Sequence, residues 1–442
     1  MRTVIPSETT EAALVRGASD LDEPATTTLV ERTGRRHWIE DWRPEDREFW
    51  DGGGDRIARR NLVQSVFSEH VGFSIWAMWS VFVLFLGPEY GIDPSRKFLL
   101  TTVPAAVGAA MRIPYTFAVA KFGGRNWTIV SGLLLFIPMV AAAITLRPGV
   151  SFNALLVAAA LAGFGGGNFS SSMSNIDSFY PQRLKGWALG INAGGGNIGV
   201  AAIQLVGLAV LATAGAAHPR IILGVYMPLV VLSVLGAALR MDNISGLTNE
   251  RHAIRDVCRE PMAWVICVLY VGTFGTFIGF SFAFGQVLQV QFADTFDTPL
   301  KAAYLTFLGP LLGSLIRPVG GRLADRFSGS VITLYTFVAM AVGAGVVLLA
   351  SSTGSLPMFI FGFVVLFVLS GLGNGSTYKM IPAIFRARQQ LAVADGQDPE
   401  VAARERATAL RCADRNRRSG RDVRWRRRQP RLPPVVPGQR HG

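Results

Sequence analysis

Two arginines occupy matched places inside apolar stretches of this chain. Arg112 stands in MRIPYTFAVAKFGG and Arg317 in IRPVGGRLADRFSG, 205 residues apart. Each is followed by nine residues and then by Phe-Gly-Gly (122–124) or Phe-Ser-Gly (327–329), with Lys121 opposite Arg326 and Pro114 near Pro318. A guanidinium inside hydrocarbon costs roughly 2.5–3.5 kcal/mol on insertion scales unless it meets water, a protein partner or an anion. Two of them at one depth imply a site for a small anion. The competing account is that each side chain extends to the membrane interface. For Arg112 the interface marker is Lys121, about 13 Å further along a helix and beyond comfortable reach. The repeat assigns Arg317 the same depth.

Polar groups suited to an oxyanion cluster nearby in sequence. Asn168, Asn175, Asn192 and Asn197 lie beside the glycine runs 163–167 and 194–196. A side-chain amide inside a membrane span needs partners, and its NH₂ group is a natural donor to an oxyanion. The glycines themselves serve close helix packing in lipid, or leave room for a moving substrate. Tyr270 and the phenylalanines of YVGTFGTFIGFSFAF are packing residues in one reading. In the other they wall a planar anion, with the tyrosine hydroxyl as donor. Gly321, Asp325 and Arg326, in GGRLADRFSG, read as a structural cytoplasmic turn with a charge pair. Carboxylates are scarce within the spans, and Glu69 and Asp177 read as lying toward cytoplasmic ends. That scarcity favours uniport or exchange over proton coupling, weakened by the adjacent His70. No GxxxxGK[ST], no HExxH and no acidic metal cluster occurs, so neither an enzyme nor a cofactor or metal is expected.

Composition supplies the elements that position these residues. Half of the 442 residues are hydrophobic, and the mean hydropathy is +0.35, too apolar for an ordinary soluble protein. Apolar runs at 63–86, 98–120, 126–146, 152–176, 186–212, 220–240, 261–284, 300–322, 330–351 and 356–380 are each long enough to cross roughly 30 Å of hydrocarbon. Basic residues concentrate in alternate connections, which places the N-terminus and the loop after the sixth span in the cytoplasm. Cys258, Cys267 and Cys412 show no paired or metal-ligand spacing, so no disulfide framework is expected. A second repeat supports two related halves: LAGFGGGNFSSSM from Leu161 matches LSGLGNGSTYKM from Leu369, offset by 208. Two matches at nearly one offset indicate parallel repeats.

The seven segments DWRPEDREFW (41–50), MRIPYTF (111–117), GGGNFSSSMSNI (165–176), ALGINAGGGNIGV (188–200), LYVGTFGTFIGFS (269–281), RPVGGRLADRFSG (317–329) and GLGNGSTYKMIPAIF (371–385) resemble the nitrate/nitrite porter family of the major facilitator superfamily. They run in family order over about residues 40–410. The resemblance implies an all-α integral membrane fold of two six-helix bundles, with nitrate or nitrite at their interface. It implies that Arg112 and Arg317 clamp the anion, that Asn192 and Asn197 belong to a nitrate signature on the fifth helix, and that Tyr270 is a site aromatic. Guanidinium forks suit a planar oxyanion. The implied activity is alternating-access transport, import of nitrate or export of nitrite, in a multi-pass protein of the inner (plasma) membrane. The expected organisation is a cytoplasmic tail (1–62), an N-terminal bundle (63–240), a linker loop (241–260), helices seven to ten of the second bundle (261–380), a cytoplasmic loop (381–410) and a basic tail (411–442). Nitrate, nitrite and the lipid bilayer are the expected partners, with a monomer favoured and no nucleic acid.

The tail departs from the family. Residues 411–442 hold 11 Arg against 2 Asp, a net +9 of the chain's +13. No such segment crosses a membrane. Chosen synonymous codons for this segment, read one base out of frame, encode GALIGIAGAGAMCGGVGV, the glycine-rich apolar run expected of helix eleven. A frameshift near Leu410 is therefore expected, leaving helices eleven and twelve out of this chain and impairing transport. Two alternatives are a transporter of another small inorganic anion, and a membrane-tethered protein binding lipid or nucleic acid through the arginine-rich tail.

Overall fold

The computed structural model describes residues 37–247, 259 and 261–394, with the side chains of 325, 378, 379 and 381–394 excepted. Among the described residues, ten helices are long and apolar enough to cross a membrane. They are α1 (Arg47–Phe85), α2 (Pro94–Phe122), α3 (Gly124–Thr145), α4 (Phe152–Phe179), α5 (Gln182–Thr213), α6 (Arg220–Arg240), α7 (Pro261–Gln291), α8 (Pro299–Ala324), α9 (Gly329–Thr353) and α10 (Leu356–Thr377). The arginine-rich segment, the expected frame change at 410 and the stretch 248–258 lie outside the described residues.

Helix α1 begins at Arg47, well before the apolar run at 63, so the expected boundary at 62 falls inside it. Asp46 starts it by accepting from the backbone N–H groups of Glu48 and Phe49 at 3.0 and 3.3 Å, a standard N-cap that hydropathy does not register. A wide turn follows at Trp50–Gly54, where Gly53 has φ 129°, a conformation that favours glycine. At the other end, helical backbone continues from Leu356 to Ala394, past the boundary expected at 380. That extension is rich in Ala, Arg and Gln, all strong helix formers.

The first bundle is organised around α1. SIWAMWSVFVLF is apolar on every side, and a helix of that kind belongs in a core; Trp79, Phe82 and Phe85 are buried. It packs on α4 and α5. Helix α9 faces outward, with Leu334, Tyr335 and Leu348 exposed, as suits a lipid-contacting surface.

The two halves repeat in three dimensions. Gly163 of α4 lies so close to Gly108 of α2 that a methyl would sit 2.8 Å from the Gly108 nitrogen. Gly371 of α10 lies on Gly313 of α8, where a methyl would overlap the Gly313 carbonyl. These contacts stand at the sequence offsets of 208 and 205. The turns that follow match as well: Gly123 has φ 87° and ψ 146°, and Ser328 has φ 79° and ψ 135°. Without an apolar solvent difference to drive association in lipid, such small-residue contacts set how near the helices come.

Polar contacts fasten one end of the first bundle. Strands β1 (Trp38–Ile39) and β2 (Asn243–Ile244) pair in parallel. Arg60 bonds Asp242. Arg125 donates from Nε and Nη2 to the carbonyl of Ala238 at 3.2 and 2.7 Å, satisfying the C-terminal turn of α6. Lys185 and Asp177 form a buried ion pair at 3.1 Å.

Candidate anion site between the two bundles

Both sequence-matched arginines reach one enclosed region. Arg317 is 6% exposed and its Nη1 is buried without a hydrogen-bond partner. Arg112 directs Nε at the Gly166 carbonyl, a long 3.4 Å bond, and its Nη2 is also buried without a partner. The two charges sense each other electrostatically. Neither belongs to an ion pair among the described residues. A buried guanidinium lacking an anion is costly, so the arrangement favours one.

Aromatic rings hold the Arg112 group in place. Its guanidinium carbon lies 4.8 Å from the Phe169 centroid, 4.9 Å from Phe274 and 5.5 Å from Trp76. Phe169 comes from α4 and Phe274 from α7, and they stack across the bundle interface at 5.8 Å. Tyr270 stacks on Phe274 at 5.2 Å and 15°, and its hydroxyl is buried without a partner. The glycine-bearing segment Val271–Gly275 forms a π-helical turn, which re-aims these two rings. Backbone carbonyls anchor the arginine from below: the Arg112 oxygen accepts from Thr116 at 2.7 Å and from Ser170 at 2.8 Å.

The expected asparagines divide. Asn192 is fully buried and donates to Glu69 Oε2 at 2.6 Å and to Ser172 at 2.9 Å. Asn168 packs with its amide nitrogen against Gly72 of α1, its Oδ1 unpartnered. Asn197 is 1% exposed, with Oδ1 likewise unpartnered. No described hydrogen bond joins either of the last two to an arginine. Asn175 is directed away, against Gly124 at the start of α3. Gly321 lies against Gly375 of α10. The Asp325–Arg326 pair rests on an Asp325 side chain outside the described residues; Arg326 itself lies over the Phe327 ring at 5.1 Å.

The structure adds residues that sequence reasoning missed. Glu69 was expected toward a cytoplasmic end, yet it is fully enclosed and within electrostatic reach of both arginines. Its place about two helix turns from Trp76 on the same helix, whose ring faces Arg112, was the available signal. Ser172 joins it through a hydrogen bond. Asn374 and Thr377 of α10 are buried with unpartnered oxygens.

Comparison with known proteins agrees with this architecture. The Major Facilitator Superfamily model matches residues 71–393. The nitrate/nitrite transporter NarU of Salmonella typhimurium is 36% identical over 371 residues, covering 79% of each chain. The chain belongs to the nitrate/nitrite porters of the major facilitator superfamily. NarU of Escherichia coli K12 is 36% identical over 387 residues, covering 81% of each chain. A probable nitrate/nitrite antiporter of Thermus thermophilus, NarK2, is 33% identical over 383 residues, covering 81% of this chain and 85% of its own. Two solved structures share the fold at low identity. A bacterial homologue of the lysosomal transporter Spinster, inward-facing and unoccupied, has a TM-score of 0.56 at 16% identity and covers 81% of this chain and 79% of its own. A D-xylose–proton symporter has a TM-score of 0.55 at 14% identity and covers 81% and 89%.

Proposed function

We infer that this porter carries nitrate and nitrite across the membrane by alternating access, with the anion held between Arg112 and Arg317. The observation carrying this reading is that each bundle contributes one buried guanidinium with an unpartnered nitrogen to a shared site. In the empty site the two like charges repel each other. A monoanion between them reverses that sign and favours approach of the bundles. The ligand thus stabilises the closed arrangement through contacts made to both halves, which is what alternating access requires.

The remaining site residues take roles consistent with their places. Phe169 and Phe274 flank the Arg112 guanidinium and present flat faces to a planar anion. The Tyr270 hydroxyl donates to an anion oxygen. Asn192 positions Glu69 and Ser172, while Asn168 and Asn197 supply buried amides at the helix crossings around the site. The N-terminus and the stretch after α6 lie in the cytoplasm, as the distribution of basic residues directs.

Calorimetric titration of the purified chain with potassium nitrate, then nitrite, tests this reading. Saturable binding of both, displaced weakly by chloride, formate and sulfate, is expected. Equal affinity for sulfate and nitrate, or no binding of either family anion, would count against the site.

A further inference from the structure

Glu69 lies midway along α1 and is 0% exposed. Its Oε2 accepts from the Ser172 hydroxyl of α4 and from the Asn192 amide of α5. Its Oε1 has no partner. The side chain lies flat on Gly196 of α5, where a methyl would overlap Oε1, so close packing fixes the carboxyl. Arg317 and Arg112 both act on it electrostatically, yet neither forms an ion pair with it.

We propose that Glu69 is a proton site linked to the anion site, so that binding of nitrate between Arg112 and Arg317 draws a proton onto Glu69 and the two travel together. This rests on the anion site proposed above. The argument is one of competition for two positive charges. When Glu69 is ionised, the carboxylate and an incoming nitrate share the field of the same two guanidiniums and repel each other. Protonating Glu69 removes the competitor and raises nitrate affinity. By linkage, bound nitrate raises proton affinity at Glu69 by the same factor. The unpartnered Oε1 takes the proton without disturbing the two bonds made to Oε2. With the proton on, a nitrate and a proton cross as a neutral pair, and no net charge is added to the buried site.

Other groups around Glu69 are already committed or lie elsewhere. From α2 and α8 the charges are Arg112 and Arg317 themselves. From α4 and α5, Asp177 and Lys185 form their own pair at 3.1 Å. Tyr226 of α6 is near Ser74, and Tyr270 of α7 acts on Arg112. His70, the neighbour on α1, turns its Nδ1 to the Gly195 carbonyl at 3.2 Å. It is the one rival proton carrier beside Glu69 among the described residues.

The sign follows directly. Where Glu69 is protonated even without nitrate, no proton is taken up and affinity is highest. As pH rises through the empty-site titration, nitrate binding takes up as much as one proton and affinity falls by as much as tenfold per pH unit. Above the nitrate-bound titration the fall stops.

Titrating the purified full chain with potassium nitrate in buffers of differing ionisation enthalpy, from about pH 5 to about pH 9, measures this uptake. The parent is expected to take up a proton with nitrate in part of this range. Glu69→Gln is expected to bind nitrate without proton uptake, with an affinity that no longer varies with pH and matches the parent in acid. His70→Gln is expected to keep the parent's uptake. Nitrate binding by the parent without a proton at any pH overturns the proposal, and so does undiminished uptake in Glu69→Gln. A Glu69→Gln protein that remains folded but binds no nitrate also overturns it, because Glu69 would then be needed in its ionised form. Failure of the parent to bind nitrate at all refutes the anion site instead.

Discussion

Replacing Arg112 by lysine keeps the charge and removes the fork. The long-range attraction for an anion therefore survives, and two shorter-range contributions are lost. One is the second of two parallel N–H···O bonds, worth about 1.5–3 kcal/mol when the partners are charged. The other is the planar contact with Phe169, Phe274 and Trp76 at 4.8, 4.9 and 5.5 Å, worth about 0.5–2 kcal/mol in a desolvated site. Together these come to at least about 2 kcal/mol, which at about 1.4 kcal/mol per factor of ten is a loss of nitrate affinity of about 30-fold or more. Arg317 has no such ring contact among the described residues. Arg317→Lys therefore forfeits the fork alone, and a loss of about 10- to 100-fold is expected. Calorimetric titration of the two purified variants, with melting midpoints recorded alongside, makes the comparison. A folded Arg112→Lys protein binding nitrate within about threefold of the parent would refute the clamp. A larger loss at Arg317 than at Arg112 would refute the aromatic contribution.

Three other outcomes are expected. Gly371→Ala puts a methyl onto the Gly313 carbonyl and should destabilise the α8–α10 crossing by about 1–3 kcal/mol; an unchanged melting midpoint in detergent would contradict that contact. Ser328→Gly relieves a non-glycine residue at φ 79° and should stabilise the chain by about 1 kcal/mol, with a lower midpoint as the opposing result. For the segment 411–442 we propose a change of reading frame near Leu410. Independent reads of the encoding DNA check it, and the frame-corrected protein is expected to move nitrate into proteoliposomes faster than the chain as written.

Much of the fold was legible in the sequence because hydropathy and charge act locally. A long apolar run must be helical in lipid, where every backbone polar group needs an internal partner. That principle located all ten spans, and the two repeats located both halves. The helix ends were less legible. The α1 start at Arg47 depends on the Asp46 cap and a glycine turn, and helical backbone to Ala394 depends on propensity; neither leaves a mark in a hydropathy profile.

The sequence by itself determined that two arginines stand at matched repeat positions inside apolar runs, since composition and repeat spacing are properties of the linear chain. It could not assign their neighbours. Around a helix that is apolar or glycine-rich on most faces, no periodic stripe reveals which way a side chain points. Only the tertiary structure directed Asn175 away from the site and turned Asn192 toward Glu69. It also brought Phe169 and Phe274 from opposite bundles to the Arg112 guanidinium. Most consequentially, it brought Glu69, which the sequence marked only as lying toward a cytoplasmic end, within reach of both arginines. The physical reason is that glycines at 163, 313 and 371 let backbones approach to contact distance and Gly196 leaves room for the Glu69 carboxyl, so residues far apart in sequence share one enclosed field.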